Sequence, residues 1–316
     1  MSKNLSLGID TSCYTTSIGL VDEKNQLILN KRKVLKVKNG KQGLRQSEAF
    51  FQHSSNLVKL YEEILLEIDL KDINGISVST QPRNIEESYM PVFLSGLHFA
   101  KTIALTLDRP LYEFSHQEGH IMASLMTSAL ELKDQMKFYA LHLSGGTTEV
   151  LECTFKNNRL YSEIIGGSLD ISAGQLIDRI GVKMGLSFPC GQAMDDLSTK
   201  SEDTQLYPIG TKGLFFNLSG LESHGYKNLN VISNEDNAKR LLKSLSETIY
   251  KVLIQLEKNY PILLTGGVSA NELLRRHLNK KVKNVYFGSK SLSSDNAIGI
   301  AMLGKWGSDE VKKTKC

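Results

Sequence analysis

Two short segments rich in glycine, serine and threonine each interrupt an otherwise apolar run: GIDTSCYTTS at residues 8–17 and LSGGTTEV at 143–150. A turn of this kind between two strands presents backbone N–H groups as a nest for an anion. Glycine permits the close approach, and hydroxyl side chains add donors. One such turn alone is equally what an ordinary hairpin needs. The constraint lies in the repetition, because the fold must accommodate the same strand–turn–strand device in both halves of the chain.

The flanking pattern repeats as well. After LSLGID, IGLVD and NQLILNKRKVLKV, read as strands, the apolar spacing from Ser47 to Asp69 predicts a helix with Ser47 as its N-cap. INGISVST at 73–80 is a strand, QPRNIEESYMP at 81–91 a loop, then a helix near 91–106 and a short strand ending about Phe114. The second half opens with three strands in MKFYALHLSGGTTEVLECTFKNNRLYSEIIGG, followed by a helix in ISAGQLIDRIGVKMGL. Then come a loop-rich stretch from Phe188 to about Asn230, a long helix near 234–258, the strand PILLTGG, the helix SANELLRRHLNK and a last helix from Ser294. Strands alternating with helices argue an α/β protein. The expected organisation is a lobe over 1–125, with a C-terminal helix about 294–307 packing back toward it, and a lobe over 126–293.

Composition excludes the less ordinary classes. A chain of 316 residues with 41% hydrophobic and 23% charged residues suits two soluble domains. The first twenty residues lack the apolar core of a signal peptide, and no apolar run reaches the roughly 18 residues of a membrane helix. These features predict a cytoplasmic protein with no membrane partner. Cys13, Cys153, Cys190 and Cys316 are widely spaced and form no C-x-x-C pair, so free thiols are expected. The net charge of +4 is concentrated in Lys31, Arg32, Lys33, Lys36, Lys38 and Lys41, in Lys280, Lys281 and Lys283, and in the tail. Such patches suit phosphates or simply solvent.

Two further segments carry chemistry. LLTGGVSANELLRR at 263–276 runs a buried strand through Gly266 and Gly267 into a helix, the arrangement that aims helix amides at a phosphate. HQEGH, from His116 to His120, puts two imidazoles four residues apart on one helical face, within reach of one metal ion. Glu118 lies about 200° around that helix, a poor position for a peptidase base. Asp295 in SSDNAIGIA is the candidate third ligand, and equally a plain helix N-cap.

Two phosphate turns in corresponding positions, plus the late strand–GG–helix, resemble the actin-like ATPase, Hsp70 and sugar-kinase superfold, in which two duplicated lobes enclose a central nucleotide cleft. Within it, GIDTSC, HQEGH, LSGGT, AGQLIDRIGVKMGL, FPCG, FNLSGL, TGGVSANELLR and SDNAIGIA occur in the order and spacing of one family. The chain resembles the threonylcarbamoyl-transferase subunit family that makes threonylcarbamoyladenosine in tRNA, once known as O-sialoglycoprotein endopeptidases. The resemblance spans nearly the whole chain.

The resemblance implies metal ligands at His116, His120 and Asp295, holding iron or zinc. It implies adenylate contacts at Leu143, Ser144, Gly145, Gly146, Thr147, Asp178, Gly191 and Asn271, with Asp10 a candidate catalytic group. The substrates implied are L-threonylcarbamoyl-AMP and tRNA. The partners implied are a smaller protein of the same fold, an ATPase and the enzyme that supplies the adenylate. Several positions depart from the family pattern: Tyr14 where an acidic residue follows the cysteine, Thr147 where S-G-G-H-T has histidine, Cys190 for a glycine, Glu222 for a lysine, and an 81–91 loop in place of a Gly-Pro-Gly turn. The alternatives are a paralogue with another acceptor, a nucleotide-binding scaffold, a superfold kinase and, last, a peptidase.

Overall fold

The computed structural model describes residues 4–12, 14–37, 44–85, 88–157 and 159–306. Cys13, Lys38, Lys41 and Cys316 lie outside them, as do the basic tail and two residues of the 81–91 loop.

The first apolar run becomes β1 (Leu5–Asp10), buried along its whole length, and returns antiparallel as β2 (Thr15–Val21) and β3 (Leu27–Val34). Helix α1 (Gln46–Leu65) leads to β4 (Ile73–Gln81), then α2 (Phe93–Leu107) and β5 (Leu111–Ser115). Strands β4 and β5 join β1 in parallel, giving a five-stranded sheet in the order β3-β2-β1-β4-β5. Helix α3 (His116–Thr127) crosses to the second half, where β6 (Met136–Leu143), β7 (Thr148–Lys156) and β8 (Arg159–Ser168) repeat the antiparallel meander.

The next elements are α4 (Ala173–Lys183), α5 (Gly191–Thr199), the short strands β9 (Thr211–Lys212) and β10 (Phe215–Phe216), α6 (Ser219–Lys227) and α7 (Asn234–Leu253). The chain then forms β11 (Ile262–Thr265), α8 (Glu272–Lys281), β12 (Val285–Phe287), α9 (Lys290–Ser293) and α10 (Ile298–Trp306). The second sheet runs β12-β11-β6-β7-β8-β10-β9. Apart from the added β10 and β9, its order is that of the first sheet: a meander whose first strand is joined by two parallel strands. Duplication expected from pattern is therefore present as topology.

One apolar cluster packs α1 and α2 on the first sheet, and another packs α4 to α8 on the second. A third, built from Ile121, Met122, Phe138, Leu263, Ile298 and Ile300 among others, fills the space around α3 and α10. Helix α10 lies against β1, β2, β4 and α3. The approach is close enough to require glycine: a Cβ on Gly299 would collide with the Gly119 carbonyl of α3.

Several boundaries differ from the sequence reading. Arg45, not Ser47, occupies the N-cap position of α1, and the helix stops at Leu65, ahead of a separate short turn over Leu70–Asp72 that Asp69 caps. The stretch from Phe188 to Asn230 holds two helices and two short strands. Its elements bury only a few side chains each, Met194, Asp195 and Ser198 in α5, so their periodicity is faint. Helix α7 ends at Leu253 rather than near 258. The last helix begins at Ile298 rather than Ser294, after a separate short helix over Lys290–Ser293, and the Asn296 side chain rather than Asp295 accepts from the Ile298 N–H.

Two consequences can be measured. Gly299→Ala overpacks the α3–α10 crossing and is expected to lower stability by about 1–3 kcal/mol, read as a drop in Tm. An unchanged Tm would mean that the helices can part. The second concerns His53 on α1, fully buried beside Thr16, whose Oγ1 lies 2.9 Å from its Nδ1. Burial pushes this imidazole down to about 4. Because the folded value lies below the unfolded one, near 6.5, the unfolded state binds the proton first as pH falls. The contribution is complete above about pH 6.5 and lost toward pH 4. Relative to His53→Gln, the wild type should lose about 3 kcal/mol in urea unfolding between pH 7 and pH 4. Parallel pH profiles for the two proteins would refute this.

Candidate active site

Helix α3 begins abruptly. The Ser115 Oγ accepts from the Glu118 N–H, and the Glu118 carboxylate accepts in return from the Ser115 N–H at 2.7 Å, a reciprocal cap. This fixes His116 as the first helical residue and His120 one turn above it, their rings 4.4 Å apart. Glu118 is consumed by the cap, and burial raises its carboxyl above the ordinary value. It is not placed as a peptidase base.

Asp295, in the break between α9 and α10, meets both imidazoles: its Oδ1 lies 3.5 Å from His116 Nε2 and 3.3 Å from His120 Nε2. One ligand atom from each of the three lies within 4.8 Å of the other two. Asp10, at the end of β1, is wholly buried. Its carboxylate accepts from Ser12 Oγ at 2.6 Å and Ser79 Oγ at 2.5 Å, and lies 3.0 Å from His116 Nδ1. A carboxylate so enclosed orients His116 and leaves Nε2 facing Asp295. With no surface exposed, Asp10 stands behind His116, the position of a positioning residue.

The charges follow from this geometry. Burial works to lower His116, but Asp10 and Asp295 outweigh it and raise the imidazolium to about 10. Burial opposes ionisation of Asp10 and Asp295, yet the histidines beside them hold both below the usual carboxylate range. His120 goes the other way, lowered by burial and by its neighbour His116. In the absence of an ion the two carboxylates keep a proton on His116, and a divalent cation displacing that proton would answer the same two charges. The distances suit it too, since two ligand atoms on a tetrahedral ion at about 2.1 Å stand about 3.4 Å apart. Asp10 supplies the carboxylate–histidine brace such sites use.

A cavity of about 770 Å³ opens beside the cluster, with Asp295 on its wall. Of the residues expected to contact an adenylate, Ser144, Gly145, Asp178, Gly191 and Asn271 line it. A Cβ on Gly145 or Gly267 would point into open space. Gly266 is held at φ +86, and a Cβ there would strike the Leu143 carbonyl, so the strand must turn on glycine. Leu143 is fully buried in the core, and neither Gly146 nor Thr147 lines the cavity. Thr147 closes the turn instead, its carbonyl accepting from Ser144 N–H at 2.9 Å. Asp178 accepts from the Cys190 N–H at 2.7 Å, and burial raises its carboxyl.

The expected strand–GG–helix also differs. After Gly266 the chain makes a short turn over Gly267–Ala270, and α8 starts only at Glu272. Its first amides are already taken, Glu272 N–H by Asp195 and Leu274 N–H by Asn271. Asn271 is therefore both a cap and part of the cavity wall.

The departures from the family pattern each have local partners. Glu222 pairs with Arg179 at 3.2 Å. Cys190 is buried, its thiol pushed up to about 12 by burial, which leaves it unreactive. In the 81–91 loop, Arg83 reaches across to Glu149 at 2.6 Å, and Gln117 donates to the same carboxylate. Tyr14 lines the cavity, its ring packed edge-on against Phe188. Lys31 of the basic stretch is tied to Glu67 at 2.7 Å.

One polar residue escaped the sequence reading. His142 on β6 is buried with its ring 5.3 Å from that of His120, and its Nδ1 has no hydrogen-bond partner among the described residues. A histidine among the buried residues of FYALHL was the available signal.

Comparison with known proteins places this geometry in a family. The family model described as tRNA N6-adenosine threonylcarbamoyltransferase matches residues 28–302. A protein of that name from Thermodesulfovibrio yellowstonii is 32% identical, over 95% of this chain and 93% of its own length. Another from Persephonella marina is 30% identical, over 94% and 88%. Among solved structures, T. kodakarensis HypF covers 98% of this chain with a TM-score of 0.62 at 13% identity, and the chain spans 48% of that protein. A ROK family glucokinase from Streptomyces griseus, in complex with glucose and AMPPNP, covers 96% with a TM-score of 0.54 at 12% identity. At those identities the likeness shows the fold alone, that of the actin-like ATPases and sugar kinases. The relatives and the family model together show that the chain belongs to the tRNA N6-adenosine threonylcarbamoyltransferase family.

Proposed function

We propose that this protein transfers the threonylcarbamoyl group of L-threonylcarbamoyl-AMP to N6 of an adenosine in tRNA. The observation that carries the reading is the trio His116, His120 and Asp295, braced by buried Asp10, with Asp295 on the wall of a cavity bordered by the glycine turns. Two imidazoles and one carboxylate with an open side suit ferrous iron, with zinc the alternative. Asp295 keeps 27% of its side chain exposed, which supports access to the cluster from the cavity. Once bound, the ion supplies a Lewis acid and a template for the donor's oxygens.

The chain's own residues have separable tasks in this reading. The turns at Ser144–Gly145 and Gly267–Val268 receive the adenylate's phosphate, and Asp178, Gly191 and Asn271 border its nucleoside. The adenosine amine attacks the carbonyl carbon, the bond from that carbon to the phosphate oxygen breaks, and AMP leaves as the amine gives up a proton. The lobes in this reading are 1–125, with the helix near 294–307, and 126–293. Partners are a smaller relative of the same fold and an ATPase. The setting is the cytoplasm, and among the described residues no helix is long and apolar enough to cross a membrane.

The direct test is complementation. In cells lacking their own threonylcarbamoyl-transferase, this chain should restore the modified adenosine, quantified by mass spectrometry of digested tRNA. A folded, metal-loaded protein that restores nothing, with the partner proteins present, would transfer the reading to another acceptor. His116→Ala should lose its metal by elemental analysis and, because it strips buried Asp10 of its partner, melt at a lower Tm while still folding, and Asp10→Asn should bind metal about 10–100-fold more weakly. Full retention in both would remove the cluster from consideration. Gly267→Val should fold normally, since a side chain there meets open space. It should lose the thermal protection that AMP gives the wild type, and undiminished protection would exclude that turn from the nucleotide site.

A further inference from the structure

The cavity has a second wall, built largely from the first half of the chain. It holds Tyr14 of the β1–β2 turn, Thr15, Arg32 and Val34 of the first sheet, and Phe188 of the second half. The Tyr14 and Phe188 rings meet edge to face, with centroids 5.0 Å apart and planes at 73°. Both rings are partly exposed, so each has surface to offer a ligand. Arg32, exposed on the edge strand β3, donates from Nη1 to Ser294 Oγ at 2.8 Å, immediately beside Asp295. The neighbouring Lys31 and Lys33 fall on the other face of the strand by its alternation, and Lys31 is engaged there by Glu67. Arg32 is thus the β3 cation directed at the cavity.

A paired aromatic surface with an arginine at its edge has a recognisable chemistry. It offers ring faces to a flat, uncharged heterocycle and a cation to the phosphate that follows it, the combination by which single-stranded nucleic acids are held. The position matters as much as the chemistry. The same cavity also has Asp295 in its lining, so a base held by these rings would share the cavity with the cluster's carboxylate.

We propose that Tyr14 and Phe188 form the seat of the acceptor base, with Arg32 taking a flanking phosphate. Tyr14 then acts by stacking, as a specificity determinant for the acceptor strand. The proposal rests on the reading of the protein as a nucleoside-modifying transferase, and it assigns that reaction's second substrate to named residues. The donor's own adenine is the competing occupant of the same surface.

The test uses the full chain and a short single-stranded RNA with 2-aminopurine in place of one adenosine, whose fluorescence is quenched on stacking. The wild type and Tyr14→Phe should quench the probe, whereas Tyr14→Ala should bind it about 10-fold more weakly without quenching. Arg32→Ala should reduce the dependence of log K on log salt by about 0.7, one phosphate contact on a single strand. In the transfer assay, Tyr14→Ala should raise KM for tRNA and leave KM for the adenylate unchanged. A rise in the adenylate KM alone, or quenching that survives Tyr14→Ala in a folded protein, overturns the proposal. A wild type that quenches the probe yet modifies no tRNA keeps the base seat and rejects the transfer reading. One that modifies tRNA with no KM change in Tyr14→Ala rejects the seat alone.

Discussion

A carboxylate with no exposure to solvent is costly unless every charge and lone pair is answered, and Asp10 is answered by two serine hydroxyls and one imidazole. That compensation organises the molecule. Ser12 comes from the turn after β1, Ser79 from the parallel strand β4, and His116 from the first turn of α3, so the carboxylate joins three segments far apart in sequence. The energetic consequence is directional: removing Asp10 would leave three polar groups facing a void, whereas keeping it fixes which nitrogen of His116 remains free.

The other half of the cluster depends on packing rather than charge. Asp295 reaches the histidines because α10 lies so near β1 and α3 that glycine is required where they touch. The second sheet is coupled to the same point, since Thr265 Oγ1 of β11 donates to the His120 carbonyl at 2.8 Å. The paired histidines, the C-terminal acid and the glycine turn at Gly266 and Gly267 are therefore held in one frame, with the cavity as its open side. Arg83 and Glu149 add an ion pair between the 81–91 loop and β7, from opposite halves of the chain.

Features that depend on local chemistry were legible in the sequence, and features that depend on long-range packing were not. The two strand–turn–strand devices, the helix at HQEGH and the placement of His116 with His120 follow from spacing of a few residues. The long-range half of the cluster was a candidate only, because nothing near Asp295 distinguishes a ligand from a cap; the structure gives the capping role to Asn296 and brings Asp295 to the histidines. The region from 188 to 230 read as loop because its helices bury few side chains each. His142 was passed over because a strand reading counts apolar neighbours and is silent on a single polar residue among them. The amides expected at the start of α8 were misassigned for a related reason: that Asp195 satisfies one of them is a contact across 77 positions, invisible to local pattern.

The departures from the family pattern divide along the same line. Glu222 has Arg179, Cys190 is sealed in the core, and Thr147 completes its turn through the backbone, so each is absorbed by its surroundings. Tyr14 is different, because it faces the cavity and meets Phe188 across it. A carboxylate at that point would place a negative charge near a cluster already holding two. Tyrosine exchanges that charge for an aromatic surface, which changes what the cavity can hold while leaving the Asp10-braced histidines untouched. Of these departures Tyr14 is the one that faces the cavity, and the cluster of His116, His120 and Asp295 stands unaltered beside it.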